Sequence, residues 1–129
     1  MFTSEAITRG VRVQVTSRHD PERSDPAQGH WFFLYTVAIA NESLEAVQLV
    51  SRHWVITDGE GAIQEVRGPG VVGEQPVLRP GQSFEYASFC PLPTAVGTMH
   101  GEYEMRTPAG EVFEAAIAPF SLAVPHALN

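Results

Sequence analysis

Three groups of residues in this chain have the types and spacing to do chemistry, and the first is Gly68-Pro69-Gly70-Val71-Val72-Gly73-Glu74-Gln75-Pro76. It matches G-x-G-x-x-G letter for letter. A dinucleotide loop also needs a strand before the glycines and, after them, a helix whose N-terminal N–H groups and dipole hold a pyrophosphate. Here Pro76 follows at once and Arg79-Pro80-Gly81 comes soon after, leaving no room for more than a turn of helix. The pattern therefore predicts a structured loop with no helix behind it. Gly68, Gly70 and Gly73 are expected to supply left-handed backbone or close approach in a crossover between sheets. The chemical alternative is a nest of consecutive N–H groups that binds a nucleotide or polyphosphate without a helix. Arg67 would assist such an anion and Glu74 would oppose it.

The second group is His100, Glu102 and Glu104, at i, i+2 and i+4. A strand places all three on one face about 6.6 Å apart in sequence order, wide for joint ligation of one cation. Met99, Tyr103 and Met105 carry the opposite parity and read as the buried face, so the polar trio is expected on a solvated outer face. A weak divalent-cation site is the lesser alternative. His100-Gly101-Glu102 has the H-x-E form found in zinc deaminases, but the P-C-x-x-C partner of that signature is missing. The third candidate is Cys90, between Phe89 and Pro91, a setting that predicts a buried and unreactive thiol.

The bulk composition narrows the field further. Fifteen acidic residues against eight basic ones give a net charge of -7, which repels phosphate backbones and anionic lipid surfaces. Nucleic acid and membranes are therefore not expected as partners. All eight basic residues are arginine, so neither Schiff-base chemistry nor a P-loop lysine is available. One cysteine leaves no internal disulfide and no cysteine-based zinc site. No signal-type apolar segment or bilayer-length apolar run is visible, so the expected location is the cytoplasm. No G-x-S-x-G, H-E-x-x-H or EF-hand pattern is present, and nothing calls for a cofactor.

The elements that must position these residues read as short strands. Val11, Val13 and Val15 alternate with polar neighbours, as an outer strand would. Asp20 to Gly29, with Pro21 and Pro26, is expected to be a loop and the most mobile segment. Trp31 to Ala40 is apolar on both parities, which predicts a central strand covered on both faces, ending at Asn41-Glu42-Ser43. From Ala46 to Thr57 the apolar parity changes near Leu49 and Val50, predicting a β-bulge or a change of sheet. Asp58 to Gly61 is a hairpin turn into a short return strand at Ile63 and Val66. Pro80-Gly81 is a type II pair leading to a strand from Ser83 to Phe89. Thr107-Pro108-Ala109-Gly110 joins strands from Thr98 to Arg106 and from Glu111 to Ala118. With no sustained helical period, the chain is all-β, one domain over residues 1–129, with residues 1–10 and 125–129 expected to be less ordered. Two packed sheets are favoured over a closed barrel.

Arg52-His53-Trp54-Val55-Ile56-Thr57-Asp58-Gly59, the loop from Gly68 to Pro76, and Gly97-Thr98-Met99-His100-Gly101-Glu102-Tyr103-Glu104-Met105 closely resemble the corresponding blocks of the bacterial ApaG family. The resemblance runs from about Val11 to Val124. It implies an immunoglobulin or fibronectin type III-like β-sandwich of two antiparallel sheets, and it brings no catalytic residue with it. It also implies, as an alternative, a role linked to divalent cations, through the cobalt and magnesium efflux label used for the family. Similar domains in a eukaryotic F-box adaptor and in a polymerase-delta-associated protein imply protein recognition. Phe89-Cys90-Pro91 departs from the family pattern of small or aliphatic residues, so Cys90 inherits no role.

Together these readings predict a non-enzymatic binding module for an unidentified protein partner. The surface around the glycine loop (Arg67, Gly68, Gly70, Gly73, Glu74 and Gln75) is the first candidate. The core is expected to include Phe33, Tyr35, Val37, Trp54, Tyr103 and Met105.

Overall fold

A computed structural model describes residues 1–125, and the expectation for 126–129 lies outside the described residues. The strands are β1 (Phe2–Thr8), β2 (Val11–His19), β3 (Trp31–Asn41), β4 (Val47–Asp58), β5 (Ile63–Pro69), β6 (Val77–Leu78), β7 (Ser83–Leu92), β8 (Val96–Arg106) and β9 (Val112–Ala123). One sheet has the order β1-β2-β3-β7; the other runs β5-β4-β8-β9, with β6 also paired to β4. All pairings are antiparallel, giving the immunoglobulin or fibronectin type III-like sandwich expected from the sequence. No helix among the described residues is long and apolar enough to cross a membrane.

The core lies where the inward parities of the two sheets meet. Phe33, Tyr35, Val37, Trp54, Tyr103 and Met105 are all buried in it. Trp54 is the centre of an aromatic cluster, edge-on to Tyr35 at 5.3 Å and to Phe120 at 5.9 Å between ring centroids. Tyr86 of β7 and Tyr103 of β8 share a hydrogen bond between the sheets, so two phenols are buried without an unpaired hydroxyl. The predicted change of parity in β4 is a register shift between Leu49 and Ser51, which puts both Leu49 and Trp54 on the core side.

Three local expectations change. Residues 2–8 form a strand: Glu5 accepts hydrogen bonds from Arg12 at 2.7 Å and Gln14 at 2.9 Å, and Thr8 Oγ1 accepts from the Ala116 amide at 3.0 Å. Because β1 covers it, β2 is an interior strand of its sheet rather than an outer one. β3 is central but covered on one face only, since Phe32, Leu34 and Ala38 are half-buried on the outside while Phe33, Val37 and Ile39 are buried. The loop from Asp20 to Gly29 contains a 3-10 turn at Pro26–Gln28, and Ser24 ties it to the Phe32 amide at 2.9 Å.

Buried Asn41 joins several connections at one end of the sandwich. Its Nδ2 donates to the carbonyls of Glu45 (2.9 Å) and Leu78 (2.8 Å), and its Oδ1 accepts from the Ser43 amide at 3.0 Å. Its own carbonyl accepts from Gly81 at 2.8 Å, which fixes the Pro80-Gly81 turn.

Candidate functional site

The glycine stretch begins on edge strand β5, turns over the rim of the sandwich and returns as β6, with no helix after it. Its three glycines have different reasons to be glycine. Gly68 lies directly across from Arg52, and a Cβ there would come within 2.9 Å of the guanidinium. Gly70 is buried with φ +59, and a Cβ would strike the carbonyl of Glu74. Gly73 sits in open space at φ +82 and needs only the left-handed conformation.

The loop is closed on itself. The amides of Val71 and Glu74 each donate to the other's carbonyl, at 2.8 and 2.9 Å, and Gly70 donates to Val50 O at 2.9 Å. Arg52 Nη1 donates to the carbonyls of both Pro69 and Gly70, each at 3.0 Å, and Gln75 Nε2 reaches Val50 O at 2.8 Å. Three of the amides that an anion nest would use are thus already committed to carbonyls. Between Val71 and Glu74, Val72 (φ +43) and Gly73 (φ +82) occupy the two central positions, the sign pattern of a type I′ turn. A β-branched residue is strained there, where Asn or Gly is the usual occupant. Val72 is nevertheless 58% exposed at the tip.

Arg67, Glu74 and Gln75 are all exposed around this tip, and Arg67 Nη2 lies 3.9 Å from Glu65 Oε1. His100 is exposed on β8, while Glu102 and Glu104 are half-buried on the same face. The outer-face placement is as read from the sequence, but the trio does not act as a unit. Glu104 accepts from Ser51 Oγ at 2.9 Å, and Glu102 belongs to a different group centred on His53. Among the described residues no three His, Cys, Asp or Glu side chains converge as a metal site would require.

Sequence reasoning missed His53. Its Nδ1 is 2.5 Å from Glu102 Oε1 and its Nε2 is 2.8 Å from Glu65 Oε1, so β4 is clipped to β8 on one side and to β5 on the other. Both carboxylates favour the imidazolium, the hydrogen bond to Glu102 most and that to Glu65 next, and hold the His53 pKa above its ordinary value. A shallow cavity of about 180 Å³ beside it is lined by Ser51, Arg67, Glu104 and Glu114 as well. The ring is separated in sequence by 12 and 49 residues from its partners, so only the strand register brings the three together. Cys90 is buried, as expected, and burial pushes its thiol up to about 12, out of the range of a reactive thiolate.

The sequence model described as the ApaG domain matches residues 21–107. Protein ApaG of Methylobacterium sp. (strain 4-46) is 61% identical over 122 residues, covering 95% of this chain and 94% of that protein. Protein ApaG of Bradyrhizobium sp. (strain ORS 278) is 56% identical over 120 residues, covering 93% and 92%. The crystal structure of the putative ApaA protein from Bordetella pertussis superposes with a TM-score of 0.88 at 54% identity, covering 90% of this chain and 94% of that one.

Proposed function

From the premise that the chain belongs to the ApaG domain family, we propose that it is a protein-binding module whose contact surface is the rim loop from Gly68 to Gln75. The observation that carries this reading is Val72, an exposed β-branched residue held at φ +43 on the tip of a loop fixed by internal hydrogen bonds. Strain of this kind costs on the order of 1–3 kcal/mol and is tolerated where surrounding structure enforces it. An apolar tip on a preorganised loop gives up little entropy when it enters a partner's pocket, which favours binding. Arg67, Glu74 and Gln75 form the polar rim around that anchor, the arrangement of a small recognition patch.

The test is site-specific photo-cross-linking from a photoreactive residue in place of Gln75, carried out in a lysate of the source organism. The reading expects a discrete protein adduct that weakens in Arg67→Glu and Glu74→Lys variants of unchanged melting behaviour, with association slowed and its salt dependence altered. Absence of any protein adduct, together with amide shifts confined to Gly68–Gly73 on addition of ATP, would instead favour a nucleotide site.

A further inference from the structure

Among the described residues, strand β7 ends its sheet and pairs only with β3. Its pairing phase is fixed at both margins of β3. The Asn41 amide donates to Gln82 O at 2.9 Å, whereas the carbonyl of Phe32 turns the other way and accepts from Asp20 at 2.9 Å. By the alternation of an antiparallel ladder, Phe84, Tyr86, Ser88 and Cys90 direct their N–H and C=O groups at β3. Ser83, Glu85, Ala87 and Phe89 therefore direct theirs at the open side.

The devices that usually blunt such an edge are scarce here. The β3–β7 register has no bulge, the chain has no lysine, and Pro91 falls only near the end of the strand. The exposed residues between are Glu85, Ala87 and Phe89, with one charge among them. Arg23 places its guanidinium 4.2 Å over the Phe89 ring while its Nη1 lies 3.3 Å from Asp20 Oδ2, and its side chain is still exposed. The edge thus carries a carboxylate at Glu85 and, over Phe89, an exposed guanidinium with donors left beyond its pairing to Asp20.

We infer that two copies of this chain associate edge to edge through β7, antiparallel about a two-fold axis at Ala87, so that Glu85 of each meets the partner's Phe89 and the partner's Arg23. Such a contact is isologous, and it extends the sheet continuously through both copies. Ala87 faces its counterpart as a small residue on the axis, and Glu85 and Phe89 form directly opposed pairs in which carboxylate and guanidinium attract. Among the symmetric registers only this one sets Glu85 directly opposite Phe89: an axis at Tyr86 sets Glu85 against Ala87, one at Ser88 sets it against Pro91, and one at Glu85 opposes two carboxylates. At its two ends it sets Ser83 against Pro91, where the proline lacks an N–H and one hydrogen bond of each terminal pair is missing. None of the rim-loop residues takes part, so this association stands independently of the partner reading above.

Sedimentation equilibrium on the purified chain from about 10 μM to 1 mM covers the range of a small edge interface. The expected result is a concentration-dependent monomer–dimer equilibrium, weakened about tenfold or more by Glu85→Arg or Arg23→Glu and restored when both are combined in one chain. Ala87→Pro removes an N–H that faces the open side and leaves the β3 ladder intact, so it should abolish the dimer while the circular dichroism spectrum and melting temperature hold. A monomer throughout the range, a dimer indifferent to Ala87→Pro, or failure of the double charge exchange to restore what the single variants lose would overturn the inference.

Discussion

The guanidinium of Arg52 lies against the α-carbon of Gly68 and, from there, donates from Nη1 to the carbonyls of Pro69 and Gly70 at 3.0 Å each. A core-side arginine thereby holds the rim loop from beneath. The glycines that resemble a phosphate motif are consequently steps in a backbone route, each with its own steric requirement.

Those requirements predict a ranking. Gly70→Ala meets both a left-handed φ and the Glu74 carbonyl, which is backbone and cannot yield, so it should cost more than about 2 kcal/mol. Gly73→Ala, in open space, should cost about 1 kcal/mol from φ alone. Gly68→Ala should cost less than Gly70→Ala because only the end of the Arg52 side chain must move. Urea midpoints of the three variants, measured with and without ATP, check the order.

His53 makes stability depend on pH with a definite sign. Its folded pKa is raised, so the contribution is fully present below the unfolded value near 6.5 and is lost as pH rises through the folded value. His53→Gln should flatten the urea midpoint across that window. Glu102→Gln should lower the imidazole pKa more than Glu65→Gln does, as read by NMR titration of the ring protons.

The inter-sheet pair Tyr86 and Tyr103 should behave as one unit. Tyr86→Phe strands the Tyr103 hydroxyl in a buried site, at a cost of roughly 1–3 kcal/mol, and the reciprocal change does the same. The double variant should cost clearly less than the sum of the two. A thermal or denaturant double-mutant cycle measures that difference.

Asn41→Ala removes the donor to the buried Leu78 carbonyl and the acceptor for Ser43 together, so a loss of at least about 2 kcal/mol is expected. Amide exchange should accelerate first at Gly81 and along β6, the segments that Asn41 pins.

Much of the fold was legible because alternation is a local signal. Val11, Val13 and Val15 announced β2, and the parity change at Leu49 announced the bulge of β4. Strand β1 was not legible, since Ile7 points outward and its order depends on Arg12, Gln14 and Ala116, which arrive from other strands. On β3 the structure departs from the expected second covered face, because apolar residues on both parities look alike whether a second layer or solvent lies beyond them. At the candidate site, the missing helix after Gly73 was readable from the prolines. The His53 clip and the strain at Val72 were not, because both follow from cross-strand register and backbone dihedrals.

The central claim is that the strained tip of the rim loop is kept for recognition, and one variant separates recognition from stability. Val72→Asn places a residue suited to φ +43 at the turn and should raise unfolding stability by roughly 1 kcal/mol. The account predicts that the same variant, with the photoreactive residue at position 75, loses most of its partner adduct while melting higher. An adduct of undiminished yield from the more stable variant would contradict it.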